Sequence, residues 1–470
     1  MAFASGARVT LLATWIQAVI QVVALIALAR LLDPNAFGIV AMVAVVVAIA
    51  TLFADFGLSL AALQASLLSQ AQKSALFLVN LGAGVVGAAA VCASGPLLAW
   101  FYGEPAVASV AAGLSLALLF SSLGVQFRVE INRDRRFGTL AVQDVAGAFA
   151  GLALAVVVAL LGFGYWALVA QTVTQAAVIA VLGVIQSRWL PTRPARWAEI
   201  TPFLKFGGNN LAVQLLNLAS RSADVMALGR AQGADVVGLY SRASQIISLT
   251  FQQFVSPLTR VVLPRLSTAA DDRDFTVTVM RLQSTIAYTL PGGLSALIAF
   301  GPAALTVVLG SDWAPAGPPL QVLALGGVFA AVGYIYYWVF LARARTALLL
   351  ATEAPGRFVM IVAAVVVAPA GAVAVAYAIL AGQIITFVAA NIAASRLGVN
   401  AWSVLRASLL PILMWGMATT AALVSQGTVS SPFSQLLVGM VAWTFTASAF
   451  LVLPHVRRDV MSIVALIRAK

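Results

Sequence analysis

The sequence predicts an all-α, polytopic membrane protein with about fourteen transmembrane helices. Three observations point there. The chain has 470 residues, 62% of them hydrophobic and only 9% charged, where a soluble chain carries about 25% charged residues. Apolar segments of about 20 residues, each enough to cross a bilayer, recur between short polar breaks. The cations gather on alternate breaks, as loops facing one side of a membrane do.

Spans are expected near 9–32, 36–63, 75–99, 105–126, 139–162, 165–187, 203–229, 235–258, 281–309, 318–341, 347–369, 371–395, 407–426 and 433–454. The first has a cleavage-like Ala27-Leu28-Ala29, as a signal peptide would. Gln17 and Gln21 interrupt its apolar run, however, and the segment recurs later, so it reads as a retained span. The second opens at Asp33-Pro34, a carboxylate N-cap followed by proline at the first helical position. Asp235 is expected to cap the eighth in the same way. The eleventh is interrupted by Glu353, Pro355, Gly356 and Arg357. Glu353 and Arg357 stand four apart in the order that favours an ion pair, so a kinked helix is expected there. Tyr334, Tyr336, Tyr337 and Trp338 read as an aromatic belt at the membrane surface.

Charge sets the orientation. Of 27 Lys and Arg residues, all but Arg30, Arg221, Arg230 and Arg242 fall on one side, in groups such as Arg133, Arg135 and Arg136 or Arg457 and Arg458. The positive-inside rule makes that side the cytoplasm and places both termini there. It also accounts for the net charge of +12 as anchoring to anionic headgroups, not nucleic-acid binding. The outer loops are too short for a separate domain. One cysteine and one histidine exclude an internal disulfide and a Cys/His metal cluster. No GxxxxGK[ST] phosphate loop is present, so ATP hydrolysis is not expected of this chain.

The chain repeats itself. Asn210, Gln214, Asn217, Arg221 and Asp224 recur at helical steps of four and three, which sets them on one helix face. Thr10, Thr14, Gln17 and Gln21 keep the same rhythm in the first span; Arg30 falls on Arg230, and Phe37-Gly38 on Val237-Gly238. A polar stripe in lipid is costly unless it faces protein or water, so two matched stripes imply a cavity between two similar lobes. The expected division is an N-lobe at 1–187, an interfacial cytoplasmic linker at 188–202, a C-lobe at 203–395, and two extra helices with a tail at 396–470.

Several stretches resemble a known family. ARLLDPNAFGIVAMV, LFADFGLSLAALQ, SRSADVMALGRAQGADVVGLYSRA and VVLPRLS look like the Wzx-like polysaccharide flippases of the multidrug/oligosaccharidyl-lipid/polysaccharide exporter superfamily. The resemblance implies two six-helix lobes facing each other across a V-shaped cavity, plus two extra helices. It implies alternating access, an undecaprenyl-diphosphate-linked oligosaccharide as substrate, no cofactor and a multi-pass location in the cell's inner membrane. The expected partners are that lipid-linked oligosaccharide, membrane lipids, and a polysaccharide polymerase or glycosyltransferases, with no nucleic acid and a monomeric chain.

The candidate substrate site follows from the stripes: Arg221, Asp224, Asn217, Gln214, Asn210, Gln17, Gln21 and Thr14. Arg221 suits a diphosphate because its planar fork bonds two oxygens at once, with Asp224 holding the guanidinium. The bland alternative is a structural ion pair. Gln245, Ser248 and Gln252 add hydrogen bonds suited to sugar hydroxyls, or helix–helix contacts. Arg30, Arg230, Asp33 and Asp235 are candidates for an outer gate; cations in a last helical turn are also favoured by the helix dipole. Asp55 is a candidate for ion coupling, or a locally bonded carboxylate, and Asp144 is expected in an ion pair at the inner face. The run RVEINRDRRFG at 128–138 either gathers anionic lipids or anchors the topology. The rival functions are a cation-coupled drug exporter, a peptidoglycan-precursor flippase, and a membrane polymerase or glycosyltransferase. An exporter calls for a buried acid in an early helix, and an enzyme for paired acids on a sizeable domain. Neither is evident.

Overall fold

The computed structural model describes residues 2–65, 68–268, 272–397, 401–458 and 461; within several helices some side chains lie outside the described set. The described chain is helical from end to end. The helices are α1 (Ala2–Leu31), α2 (Pro34–Asp55), α3 (Leu58–Gln64), α4 (Gln70–Tyr102), α5 (Ala106–Arg133), α6 (Phe137–Leu160), α7 (Trp166–Ser187) and α8 (Trp197–Gln232). They continue as α9 (Ala234–Ser267), α10 (Asp272–Val308), α11 (Gly317–Ala342), α12 (Thr346–Val367), α13 (Ala372–Ser395), α14 (Ala401–Gln426) and α15 (Pro432–Ala449). Among the described residues, twelve helices are long and apolar enough to cross a membrane. α8 and α9, where many side chains lie outside the described set, are not among them. Large apolar side chains such as Trp100, Val86, Val366, Val424 and Phe445 stand exposed; lipid, not water, is the solvent such a surface fits.

One expected span is broken in two. At Phe56 and Gly57 the backbone turns left-handed (φ 47° and 68°), which ends α2 and starts the short α3. A bulky residue rarely adopts that conformation, and the sequence marks the place only with Asp55-Phe56-Gly57. Asp55 accepts hydrogen bonds from the Ser59 hydroxyl and amide across the break, so its visible contacts are local.

The chain forms two compact units, Met1–Gly238 and Leu239–Lys470. In the first, α1 packs on α6, α4 on α5, α6 on α7, and α8 on α2, α3 and α4. Small residues allow these approaches. Gly147 and Gly151, for example, lie against the backbone carbonyls of Gln175 and Gln171, the close packing typical of membrane helices. In the second, α10, α11 and α13 enclose a core of Val279, Ile286, Leu290, Ile335, Phe340 and Ala394. Tyr336 and Trp338 belong to that core, each 1% exposed, with Trp338 donating to Thr259 Oγ1 at 3.0 Å and Asn391 to the Tyr336 hydroxyl at 2.7 Å. The expected belt is therefore half core: alternate positions of the run turn inward because burial repays bulk where the polar tip finds a partner.

The final pair of helices is tied to α10. Gln283 donates to Ser408 Oγ at 2.6 Å, Trp415 to the Ala287 carbonyl at 3.2 Å, and Trp443 to Ser295 Oγ at 3.1 Å, while the two indoles stack at 5.0 Å. The expected Glu353–Arg357 ion pair is present at 2.5 Å, and Asp144 is paired, with Arg128 at 2.8 Å.

Candidate functional site

The repeat builds a corner. After α1, Asp33 caps α2 by accepting the Ala36 amide at 2.9 Å, with Pro34 in the first turn. In the second copy the turn is made by Gly233 at φ 81°, and α9 begins at Ala234. Asp235 is therefore a first-turn residue aligned with Asn35, not the cap the sequence suggests. The two corners meet within the first compact unit: Asn35 Nδ2 donates to Asp235 Oδ2 at 3.3 Å across 200 residues of sequence.

Two glycines make the approach possible. A Cβ on Gly38 would overlap the Ala234 carbonyl and lie 3.0 Å from its Cα. One on Gly238 would overlap the Pro34 carbonyl and lie 3.2 Å from the Gly38 nitrogen. Each helix thus seats the other's first-turn carbonyl where a side chain is missing. This reciprocity is what a two-fold relation between equivalent patches requires. Phe37, Ala234 and Val237 are buried around the crossing. Farther along α8, Gly229 admits the Tyr102 ring and the Met42 methyl. Arg30 and Arg230 occupy the last turns of α1 and α8, and both are exposed, as is Asp33.

The polar stripes are placed as follows. Thr14 and Gln21 are exposed and Gln17 half-buried; Gln214 is exposed and Asp224 buried. Gln245 and Ser248 are exposed. The side chains of Asn210, Asn217, Arg221 and Gln252 lie outside the described residues. A buried carboxylate such as Asp224 needs compensation, and it accepts the Val225 amide at 2.8 Å.

Sequence reasoning missed a polar seam between α4 and α5. Lys73 and Glu130 form an ion pair in which Glu130 is 5% exposed, and Gln126 donates to the same carboxylate at 3.4 Å. Asn80 is fully buried on this seam's helix, without a hydrogen-bond partner among the described residues. The partners are 57 residues apart, so no local spacing signals them. The basic run after Gln126 is largely engaged: Arg133 holds the carbonyls of Ala62 and Ala65, and Arg136 that of Gln186 at 2.8 Å. Among the described residues no group of three or more His, Cys, Asp and Glu could hold a metal ion.

Known proteins share this architecture. A family model described as polysaccharide biosynthesis protein matches residues 27–318, which include both hairpin corners. The lipopolysaccharide biosynthesis protein WzxC of Escherichia coli (strain K12) is 26% identical over 356 residues, 73% of this chain and 70% of that one. The teichuronic acid biosynthesis protein TuaB of Bacillus subtilis (strain 168) is 24% identical over 353 residues, covering 73% and 71%. Among solved structures, the lipid II flippase MurJ in an inward closed conformation superposes with a TM-score of 0.74 at 14% identity, over 96% of this chain and 99% of that one; at that identity the likeness establishes the fold. The chain is thus a multi-pass membrane protein, and it belongs to the polysaccharide biosynthesis protein family.

Proposed function

We propose that the chain is a flippase that carries a polyprenyl-diphosphate-linked oligosaccharide from the inner to the outer leaflet of the cell membrane, for assembly of a surface polysaccharide. The observation that carries this reading is the repeat-related corner, where Gly38 meets Ala234 and Gly238 meets Pro34. A crossing with no side chain between its backbones has few interlocked side chains to repack when it parts, and Phe37 and Val237 are what parting would uncover. We read it as the outer gate of an alternating-access cycle, with Asn35–Asp235 as its latch and Arg30, Arg230 and Asp33 beside it. The substrate path is lined by Thr14, Gln17, Gln21, Asn210, Gln214, Asn217, Arg221 and Asp224, the polar groups a sugar and a diphosphate require in an apolar bundle. Family membership and the names of the relatives support the substrate class. A polymerase or glycosyltransferases would receive or supply the oligosaccharide, and the chain works as a monomer.

Cells lacking the chain should lose the surface polymer and accumulate its lipid-linked precursor on the cytoplasmic leaflet, out of reach of a glycosidase added outside. Precursor that remains accessible from outside would refute the reading.

The reading includes fourteen spans with both termini in the cytoplasm. In a Cys92→Ser background, single cysteines at Glu104, Asp235 and Asp312 should react with an impermeant thiol reagent added outside. Those at Arg135, Arg193 and Arg273 should not; outside labelling of the second group would overturn the topology.

A further inference from the structure

The linker between α7 and α8 is a built element. Gln70, at the start of α4, accepts the Trp189 indole N–H at 2.9 Å and donates to the Leu190 carbonyl at 2.9 Å. Ser74 Oγ, one turn on, accepts the Thr192 amide at 2.8 Å, and the Ala195 amide donates to the Ala71 carbonyl at 2.9 Å. The Trp189 ring packs edge-on against Phe77 and Phe127. Four residues of the linker, Trp189, Leu190, Thr192 and Ala195, are thereby strapped along the first two turns of α4.

Under this strap runs a groove of about 450 Å³, within the range of small-ligand sites, about 300–1,000 Å³. Its wall on α4 is Ala75, Leu78, Val79 and Gly82, a single stripe at i, i+3, i+4 and i+7. Pro194 and Ala195 close it from the strap and Ile200 from the first turn of α8. Ala75 and Ile200 are buried at its floor, while Leu78 and Gly82 stand exposed at its open side. A Cβ on Gly82 would meet nothing within 4 Å among the described residues. Among the described residues the lining is apolar in every side chain. At its strap end, however, Pro194 and Ala195 are flanked by Arg193 and Arg196, both exposed and in no ion pair among the described residues.

A narrow apolar groove beginning beside two exposed guanidinium groups fits one class of ligand: a lipid with a single apolar chain and a phosphate or diphosphate head. The chain would lie along α4, and the head would take bidentate hydrogen bonds from the arginines. Lysine would supply the charge but not the fork. We infer that this groove holds the head-proximal isoprene units of a phosphate-bearing polyprenyl carrier lipid, with Arg193 and Arg196 on the phosphate, as a waiting site on the cytoplasmic leaflet outside the polar-striped path. It rests on the proposed flippase reading for the carrier's identity, and on the strap and groove for its place.

The test uses the full chain in nanodiscs of phosphatidylethanolamine, with undecaprenyl phosphate as the probe and native mass spectrometry to count retained lipid. The intact chain should retain undecaprenyl phosphate, and an equal amount of phosphatidylglycerol should not displace it. Arg193→Gln with Arg196→Gln should weaken retention by at least about tenfold, because each lost hydrogen bond to a charged group exceeds that step. Gly82→Trp fills the open side and should weaken it similarly, while an unchanged thermal unfolding midpoint confirms that the fold is kept. Displacement by phosphatidylglycerol would show a site for bulk anionic lipid, and retention unchanged in both variants would show none; either overturns the inference. Wild-type export in cells is scored separately. A chain that exports polymer yet retains no undecaprenyl phosphate here disproves the waiting site alone, and one that never exports disproves the flippase.

Discussion

Gly38→Val should abolish polysaccharide export while the chain stays folded in the membrane. The valine Cβ would overlap the Ala234 carbonyl, and that carbonyl cannot yield, because it belongs to the first turn of α9. Overpacking a tight contact costs about 1–3 kcal/mol or more, which at a two-state gate shifts the closed population by one to two factors of ten. Gly238→Val should do the same through Pro34. Because both changes break one crossing, the double variant should be no worse than either alone. Cysteine at Phe37, buried at the crossing, should become reactive to an outside thiol reagent in the valine background. If the glycines served only assembly, the amount of chain in the membrane would fall instead, and the chain that remained would export at the normal rate. Export is read as surface polymer per membrane-inserted chain.

Arg221→Ala should be equally severe for a different reason. An arginine at mid-membrane costs about 2.5–3.5 kcal/mol on insertion scales, and Asp224, three residues on, is buried. If the two served only each other, Arg221→Ala would strand a buried carboxylate and lower the amount of chain by about 3–5 kcal/mol of lost stability, and adding Asp224→Ala would restore it. If Arg221 meets the diphosphate, Arg221→Ala leaves chain in the membrane without export, and the double alanine variant stays inactive. Arg221→Lys should recover only part, since an ammonium lacks the two-pronged geometry. Restored export in the double variant would sink the substrate role.

How far the sequence spoke depends on the range of each signal. Asp33-Pro34 and Glu353–Arg357 were legible because a cap and an i,i+4 pair are local: the partners lie within one turn. The 200-residue echo was legible as a pattern, and it located Gly38 and Gly238. It did not reveal that they touch, since the echo reports similarity and not proximity. It also misled at Asp235, where Asp33 aligns with Gly233 and the cap was lost in one copy. Phe56 was hidden because its left-handed backbone is imposed by the surroundings, against its own preference. Lys73–Glu130 and the strap on Gln70 and Ser74 were hidden because their partners come from distant segments. The polar tips of Tyr336 and Trp338 suggested a membrane surface, yet each found a hydrogen-bond partner, Asn391 and Thr259, on a neighbouring helix.

The central claim is that the corner opens in every transport cycle. It is tested most directly by holding the corner shut. In a Cys92→Ser background, Asn35→Cys and Asp235→Cys replace two side chains already within hydrogen-bond distance, and a short cleavable bis-thiosulfonate reagent can join them. Each single variant should export after treatment. The linked double variant should stop exporting and accumulate precursor on the cytoplasmic leaflet, and reduction of the link should restore export to the level before treatment. Undiminished export from a fully linked chain would contradict the account.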